Sequence, residues 1–430
     1  MTDQSSADPY AGNILISPLG PILSPDQVLK RLTMLPPLPP DPFVVPKHAR
    51  LYHLMAVRDF HLPSREELRT QQTIDLSVRE GLRYRNPASA RTWMTVAGEE
   101  PSQDGRASNR IAPRMPPIGG SAVGPSGVGK TEAVLRALHC CYDSQVICHP
   151  TFPQITGPHV QVVWLSVDVP GSGRTDDLAN ALMRAWDELL SRYVPDYVPR
   201  FEHTLSLRTR KGARMLTEWR HVASSHFLGV LHLDEIQNLF KISSLKNRRS
   251  AKAAKGDIEL SLVEDESLKW ILTLTNIWQI PLFLTGTSDG IGALTKRLAT
   301  LQRIVSFGHH RFDPFASAGD ENYRTFMNVL GRYQYTRVKI DVADVLDLVF
   351  MRTAGIRRLI IALWVGAHRI AFERKDDELK VNDFEEAART LLAPIAPSVN
   401  ALLSGKPGAL QRYEDLRPID SFWDAYWSSM

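Results

Sequence analysis

Gly124-Pro125-Ser126-Gly127-Val128-Gly129-Lys130-Thr131 matches the phosphate-binding loop pattern G-x-x-x-x-G-K-[ST] at every fixed position. Its glycines let the backbone point N–H groups at phosphate oxygens, and the helix-compatible run behind it adds a positive dipole end. In this arrangement Lys130 reaches the β- and γ-phosphates and the Thr131 hydroxyl binds Mg²⁺. The segment, together with Glu132 behind it, therefore predicts a site for ATP and Mg²⁺. A chance match in a structural turn is the alternative.

Length and composition are those of an ordinary globular protein of about two to three domains. The 430 residues are 43% hydrophobic and 23% charged, with 51 basic against 47 acidic side chains. Three cysteines, at positions 140, 141 and 148, give no disulfide framework and fit no standard zinc spacing. No signal peptide and no membrane-length apolar run are evident, so the sequence predicts a cytoplasmic protein without a membrane partner.

The N-terminal part divides into two predicted segments. Residues 1–47 are rich in proline, which predicts an extended arm without regular helix. Residues 48–117 predict a small adaptor and linker, with one helix over 64–71, capped by Ser64, and a second over 77–82.

After the phosphate loop, apolar strands alternate with amphipathic helices. Strands are predicted over 118–123, 159–168, 227–233 and 280–286, with helices over 176–193, 210–224 and 260–278. This alternation predicts an α/β core over 118–315, a parallel sheet with helices on both faces. Helices over 341–353, 356–372 and 381–392, the last capped by Asn382, predict a helical lid over 316–403, followed by a tail over 404–430.

An acidic pair, Asp234-Glu235, ends the apolar strand that begins near residue 227. In a nucleotide hydrolase the first acid holds Mg²⁺ through its water shell, and the second orients and deprotonates the attacking water. We therefore predict that Asp234 binds the metal and that Glu235 is the hydrolytic base. Two solvated acids at a strand end are the alternative.

Further positions could contact nucleotide. Thr285 and Thr287 end the next strand, where a polar side chain can detect the γ-phosphate, and Thr287 is the preferred candidate. Arg303 is the preferred candidate, over its neighbours Arg297 and Arg311, for a cation that reaches the nucleotide of an adjacent subunit. Arg357, at the start of a lid helix, could contact the γ-phosphate. Each of these residues could instead be an ordinary surface or turn residue.

A basic stretch follows the acidic pair. Between residues 241 and 255 there is no acid at all, and a stretch of this kind could follow a nucleic-acid backbone through sequence-independent contacts. The predicted DNA-binding residues are Lys246, Arg248, Arg249, Lys252 and Lys255. A solvated loop neutralised by the acids that follow is the alternative.

Together these motifs resemble the TnsC/TniB group of AAA+ ATPases that regulate transposition in Tn-seven-like elements. The strings that carry the resemblance are the phosphate loop (Walker A), Leu231-His-Leu-Asp-Glu-Ile-Gln-Asn-Leu239 (Walker B), and Ile280-Pro-Leu-Phe-Leu-Thr-Gly-Thr287. Residues 81–87 and 402–416 also resemble longer members of this group. The resemblance does not include the long C-terminal extension of the largest members, which is implicated in docking TnsA.

The resemblance implies an AAA+ fold with a helical lid and an ATPase that assembles as a ring or filament on double-stranded target DNA. It also implies two classes of partner: a target selector of the TnsD/TniQ type and a transposase of the TnsA/TnsB type. Two other functions share the core motifs and remain open. One is a motor or loader ATPase of the origin-recognition or clamp-loader type, and the other is a DNA-binding scaffold that binds nucleotide without hydrolysing it.

Overall fold

The computed structural model describes residues 9–39, 41–96, 116–207, 211–240, 270–271, 274, 279–287, 302–410 and 413. Within them, five strands form one sheet and two strands form a hairpin. The strands are β1 (Gly119–Val123), β2 (Val146–His149), β3 (His159–Val162), β4 (Trp164–Asp168), β5 (Val230–Asp234), β6 (Leu282–Gly286) and β7 (Gly308–Arg311). The larger sheet has the order β4-β5-β6-β1-β7, and β2 pairs with β3.

The central strands of the large sheet are buried on both faces. Every residue of β5 and β6 is buried, which is why both read as nearly continuous apolar runs. β1 is equally buried although it is rich in small residues. A Cβ atom at Gly120 would lie 2.7 Å from the ring of Phe283, so a larger side chain would displace that ring. The short, glycine-rich β1 is therefore a consequence of close packing.

The register of the sheet brings the carboxyl ends of four strands to one edge. β1 and β5 both pair with β6 in parallel, and β4 pairs with β5 in parallel. Val123 is the partner of Gly286, and Asp168 is the partner of Asp234. The predicted α/β fold with a parallel sheet is confirmed.

The described helices fall into two groups, before and after β7. The first group is α1 (Pro25–Leu32), α2 (Lys47–Leu54), α3 (Arg65–Tyr84), α4 (Ala90–Val96), α5 (Lys130–Cys141), α6 (Thr175–Tyr193), α7 (Glu202–Ser206) and α8 (Gly212–Ser225). The second group is α9 (Glu321–Leu330), α10 (Leu346–Thr353), α11 (Arg357–Glu373), α12 (Val381–Thr390), α13 (Ala396–Ser404) and α14 (Pro407–Leu410). None of these helices has the length and apolarity needed to cross a bilayer.

The chain forms two compact units, and neither is continuous in sequence. The first contains Met1–Leu23, Arg69–Val123 and Val134–His310; its core includes Trp186 and Trp219, whose ring centroids are 6.1 Å apart. The second contains Ser24–Leu68, Gly124–Ala133 and Arg311–Met430, with Trp364 and Phe384 in its core. The sequence predicts five consecutive domains, and this division stays a prediction. Each compact unit combines segments that are separated in sequence.

One secondary-structure prediction for the N-terminal arm is wrong. Helix α1 lies within the region that was expected to contain no regular helix. The Ser24 hydroxyl accepts the backbone N–H of Gln27 at 3.3 Å, and the Gln27 side chain accepts the backbone N–H of Ser24 at 2.8 Å. Pro25 occupies the first helical position, where its missing N–H costs nothing. The closely spaced prolines that prevent helix begin only at Pro36.

Three other local predictions need correction. The two short helices expected over 64–71 and 77–82 are one continuous helix, α3. The strand expected over 159–168 is two strands in different sheets, because β3 pairs with β2 and β4 pairs with β5. The cap of α12 is not Asn382; the Asp383 carboxylate accepts the Lys380 backbone N–H at 2.8 Å. The helix expected over 260–278 lies largely outside the described residues.

We expect Ser24→Ala to lower the free energy of unfolding by about 1 kcal/mol, because it removes the acceptor for the first turn of α1. Urea denaturation of the two proteins measures this difference. Ser24→Asp restores an N-cap acceptor and is the matched control, so it should keep most of the stability. Equal stability of all three proteins would show that the cap does not hold α1.

Candidate nucleotide-binding site

The phosphate loop connects β1 to α5 and requires glycine at two positions for steric reasons. Gly124 has φ 156°, and a Cβ atom there would lie 2.1 Å from the carbonyl oxygen of Phe312. Gly127 has φ 85°, and a Cβ atom there would lie 3.1 Å from Cγ2 of Ile356. Neither backbone conformation suits a residue with a side chain. The loop is thus held in its curled form by the segments packed on it.

Lys130 and Thr131 occupy the first turn of α5. The Lys130 ammonium donates to the carbonyl oxygen of Pro125 at 2.9 Å, so its side chain lies across the loop. Lys130 is buried, Thr131 is half-buried, and Glu132 is exposed. A helix start, backbone amides of a glycine-rich loop and an ammonium group form a donor set that fits the phosphates of a nucleotide.

The N-terminus of α11 packs on this loop within the second compact unit. The backbone N–H of Arg358 donates to the carbonyl oxygen of Gly127 at 3.2 Å. The Arg357 guanidinium is close to the loop as well, since its Nη1 lies 3.6 Å from the position of a Cβ atom at Gly129. The structure therefore brings the predicted lid arginine to the phosphate loop. Its contact with a γ-phosphate stays a prediction.

Asp234 is buried at the carboxyl end of β5, and its two hydrogen bonds use the same oxygen. Oδ1 accepts the hydroxyl proton of Thr285 and, at 2.8 Å, the backbone N–H of Glu235. Oδ2 has no hydrogen-bond partner among the residues that the structure describes. A buried carboxylate with one oxygen held and the other available fits the water shell of a Mg²⁺ ion.

The hydrogen bond to Asp234 belongs to a buried chain of four side chains. Nε2 of His232 lies 2.7 Å from the Thr285 hydroxyl oxygen, and Nδ1 lies 2.8 Å from the Ser166 hydroxyl. Burial lowers the pKa of His232 to about 4, so the ring is neutral at neutral pH. Because Thr285 donates to the carboxylate, His232 must donate from Nε2–H and accept from Ser166 at Nδ1. These hydrogen bonds fix the orientation of the Asp234 carboxylate.

Glu235 follows Asp234 in a left-handed backbone conformation, with φ 54°. Such a conformation in a residue with a side chain is strained and is often found at functional sites. The Glu235 carboxylate is exposed and accepts a hydrogen bond from the Gln237 side-chain amide. The oxygen of that amide accepts the backbone N–H of Thr287 at 3.2 Å. Gln237 thus ties the predicted hydrolytic base to the end of β6, a contact that the sequence analysis did not identify.

Two further polar residues lie at this sheet edge, of which one was the less preferred candidate and one was missed. Thr285 hydrogen-bonds to Asp234, although the sequence analysis preferred Thr287 of the two threonines. Asp168 is adjacent to Asp234 in the sheet register. Burial, and secondly the neighbouring Asp234, raise the pKa of Asp168. A strand-end aspartate on a neighbouring parallel strand was a signal that could have identified Asp168.

The remaining predicted residues lie elsewhere. The backbone of Arg303 is beside the first residue of β1, because its carbonyl oxygen would be 2.5 Å from a Cβ atom at Gly119. This is the end of β1 opposite to the phosphate loop, and a role of Arg303 at a neighbouring subunit stays a prediction. The predicted DNA-binding residues Lys246, Arg248, Arg249, Lys252 and Lys255 are outside the described residues, as is Arg297.

Comparison with known families identifies the segment that carries these features. Residues 120–292 match a family model described as an AAA domain. This segment has the AAA+ P-loop fold. It contains the phosphate loop, the acidic pair and the strand that ends at Gly286, and AAA domains are in general nucleotide-binding modules of ATPases. No curated protein matches the sequence.

The chain is also similar to several solved structures. One is the Aeropyrum pernix Orc1 protein in complex with DNA, at 17% identity and a TM-score of 0.44, covering 79% of this chain and 68% of that one. Another is Drosophila ORC bound to DNA, at 13% identity and a TM-score of 0.42, covering 90% of this chain and 75% of that one. A third is the Thermotoga maritima RuvB Holliday junction branch migration motor, at 14% identity and a TM-score of 0.32. The similarity covers 64% of this chain and 62% of that one. No functional conclusion follows from similarity at this level.

We expect Thr285→Val to lower the free energy of unfolding by about 1–3 kcal/mol, because it leaves Asp234 and His232 buried without their shared partner. Thr285→Ser keeps the hydroxyl and should lose less. Urea denaturation provides the measurement, with Thr390→Val as a control, since the Thr390 hydroxyl bonds only to a carbonyl on an exposed helix surface. Equal losses for Thr285→Val and Thr390→Val would argue against a stabilising hydrogen-bond chain.

Proposed function

We propose that this protein is a Mg²⁺-dependent ATPase that binds double-stranded DNA as a homo-oligomer and regulates transposon insertion. The observation that carries the ATPase part is the arrangement of the sheet edge. β1, which leads into the phosphate loop, and β5, which leads into Asp234 and Glu235, both pair in parallel with β6. The motif residues for phosphate and for metal therefore follow strands that end at the same edge.

Each residue has a distinct task in this proposal. The backbone N–H groups of the loop residues from 124 to 131 other than Pro125, which has none, and the Lys130 ammonium hold the phosphates. Thr131 and Asp234 hold Mg²⁺. When bound, Mg²⁺ neutralises the charge that develops on the phosphate oxygens. Glu235 orients the attacking water and accepts its proton. The exposure of Glu235 beside a buried, hydrogen-bonded Asp234 supports this division of roles.

The DNA-binding and transposition parts rest on the sequence. The basic stretch at residues 241–255 begins six residues after Glu235 in the sequence. In the resemblance to the TnsC/TniB group, the string Asp234-Glu-Ile-Gln237 is more specific than a generic acidic pair. The hydrogen bonds of Gln237 to Glu235 and Thr287 support a role for this string in positioning Glu235. A TnsD/TniQ-type selector and a TnsA/TnsB-type transposase are the proposed partners, with Arg303 acting on an adjacent subunit.

Two measurements separate this function from its alternatives. Directional translocation on DNA, or loading of a ring onto DNA, would favour a motor or loader ATPase. A complete lack of phosphate release in the presence of Mg²⁺, ATP and duplex DNA would favour a scaffold that binds nucleotide only. Electron microscopy of the protein with duplex DNA and a slowly hydrolysed ATP analogue would test the proposed ring or filament.

We expect Glu235→Gln to lower the rate of ATP hydrolysis by about 10²–10⁴-fold, because the amide cannot accept the proton of the attacking water. ATP binding and ATP-dependent assembly on DNA should persist. Steady-state phosphate release and nucleotide affinity are the two measurements. Glu202→Gln, an exposed glutamate in α7, is the control and should hydrolyse ATP normally. Unchanged turnover in Glu235→Gln would remove Glu235 from the mechanism.

We expect the double substitution Arg248→Ala, Arg249→Ala to weaken duplex DNA binding uniformly across sequences. The slope of log affinity against log salt concentration should fall by about one unit for each DNA phosphate that the variant no longer neutralises. Fluorescence anisotropy at several salt concentrations measures this slope. Arg337→Ala, which changes an exposed arginine after α9, is a control for net charge. A slope that is the same in all three proteins would place the DNA elsewhere.

A further inference from the structure

Glu67 is a charged residue with no solvent exposure, and it lies in the second compact unit with the phosphate loop. Its Oε2 is 2.7 Å from Nε2 of His61, and its Oε1 is 2.7 Å from Nη1 of Arg357. Burial on its own would raise the pKa of Glu67, but the hydrogen bond to His61 and the charges of His61 and Arg357 lower it below its ordinary value. The side chain is therefore an anion at neutral pH, held between two basic groups.

The Arg357 guanidinium has more N–H donors than its partners among the described residues accept. Among the described residues, its hydrogen-bond acceptor is Glu67, and its guanidinium stacks at 5.3 Å from the ring centroid of Phe315. A guanidinium carries five N–H donors in a fixed plane, so four remain for another acceptor. The Nη1 atom that Glu67 holds is also the atom that a Cβ atom at Gly129 of the phosphate loop would meet, at 3.6 Å.

We propose that Glu67 is a positioning residue of the nucleotide site, which holds the Arg357 guanidinium beside the phosphate loop so that its remaining donors bind the terminal phosphate of ATP. This inference rests on the proposed function. It makes residues 24–68 part of the nucleotide site, although Glu67 is 290 residues from Arg357 in sequence. The Met34 and His61 backbones exchange two hydrogen bonds, at 2.9 and 2.7 Å, which connects the end of α1 to the same cluster.

A second ion pair in the same unit shows what a purely structural arginine looks like. Arg50 also pairs with a carboxylate, Asp377, at 2.7 Å. Its guanidinium in addition donates to the carbonyl oxygens of Val45 and Tyr335, at 3.1 and 3.2 Å. Arg50 is therefore bonded to structural acceptors on several sides, whereas Arg357 is held at one corner next to the loop.

Glu67 also has a structural role that the experiment must separate from positioning. At the start of α3 it forms a capping box with Ser64, whose backbone N–H lies 3.2 Å from Oε1. Glutamine serves at this position of a capping box as well as glutamate does. Glu67→Gln therefore keeps the cap and removes the charge that holds Arg357.

The experiment measures the affinities of the full chain for a non-hydrolysable ATP analogue and for ADP, by titration calorimetry with Mg²⁺ present. We expect Glu67→Gln to weaken binding of the ATP analogue by about tenfold, which corresponds to one charge-assisted hydrogen bond, and to change ADP binding by less than about twofold. Arg357→Ala should show the same selective loss. The double variant should lose no more than Arg357→Ala, because the two residues act as one unit.

Asp377→Asn is the matched control, since it breaks an ion pair of similar burial in the same unit. It should lower stability without changing the ratio of the two affinities. Equal weakening of both nucleotides in Glu67→Gln, or additive losses in the double variant, would overturn the inference. If Glu67→Gln does not fold, Glu67→Asp replaces it in the test. Aspartate keeps the charge but is too short to reach Arg357, so the same selective loss of affinity for the ATP analogue is expected. Failure of the unchanged chain to bind either nucleotide would overturn the proposed function as well.

Discussion

The close approach of protein backbone to the phosphate loop is the constraint on which the candidate site depends. The loop leaves no space for a side chain at Gly124, where a Cβ atom would be 2.1 Å from the Phe312 carbonyl oxygen. The start of α11 adds a backbone hydrogen bond to Gly127. Phosphate recognition alone would explain glycines that face a ligand. Here Gly124 is also required by protein packing and Gly127 by its positive φ, so the loop has its shape before any nucleotide binds. A preorganised anion site loses less conformational entropy on binding.

The sequence predicted the strands and helices well where periodicity and composition agreed. Strands β5 and β6 and helices α6 and α11 lie within a few residues of their predicted positions. The errors have local physical causes. Proline at the first position of α1 favours a helix, although proline was counted against one. The split between β3 and β4 depends on which neighbours each half pairs with, and no pattern within residues 159–168 contains that information.

The same distinction applies to the site. Motif residues such as Lys130 and Asp234 can be found from spacing, because their chemistry requires fixed residue types in a fixed order. The hydrogen bonds of the residues that support them cannot be found in this way. Thr285 is 51 residues from Asp234, and it meets that carboxylate only because β5 and β6 pair in a particular register. His232 is two residues before Asp234 and reads as part of an apolar strand, yet its tautomer determines how Thr285 points. Such supporting hydrogen bonds depend on three-dimensional packing rather than on a sequence pattern.

Energetics also argue that the Glu67–Arg357 pair serves more than stability. Burying a carboxylate has a large desolvation cost, and a buried ion pair stabilises a fold no better than well-packed apolar residues of the same volume. Apolar residues in its place would stabilise the unit as well, but they could not present a cation to the loop. A guanidinium alone beside Gly129 would be drawn into solvent, since exposed arginines lose little by moving. A buried anion behind it fixes both its position and its direction. The folded protein therefore bears the desolvation cost of Glu67 before nucleotide binds. In return, the Arg357 guanidinium is already oriented for a phosphate.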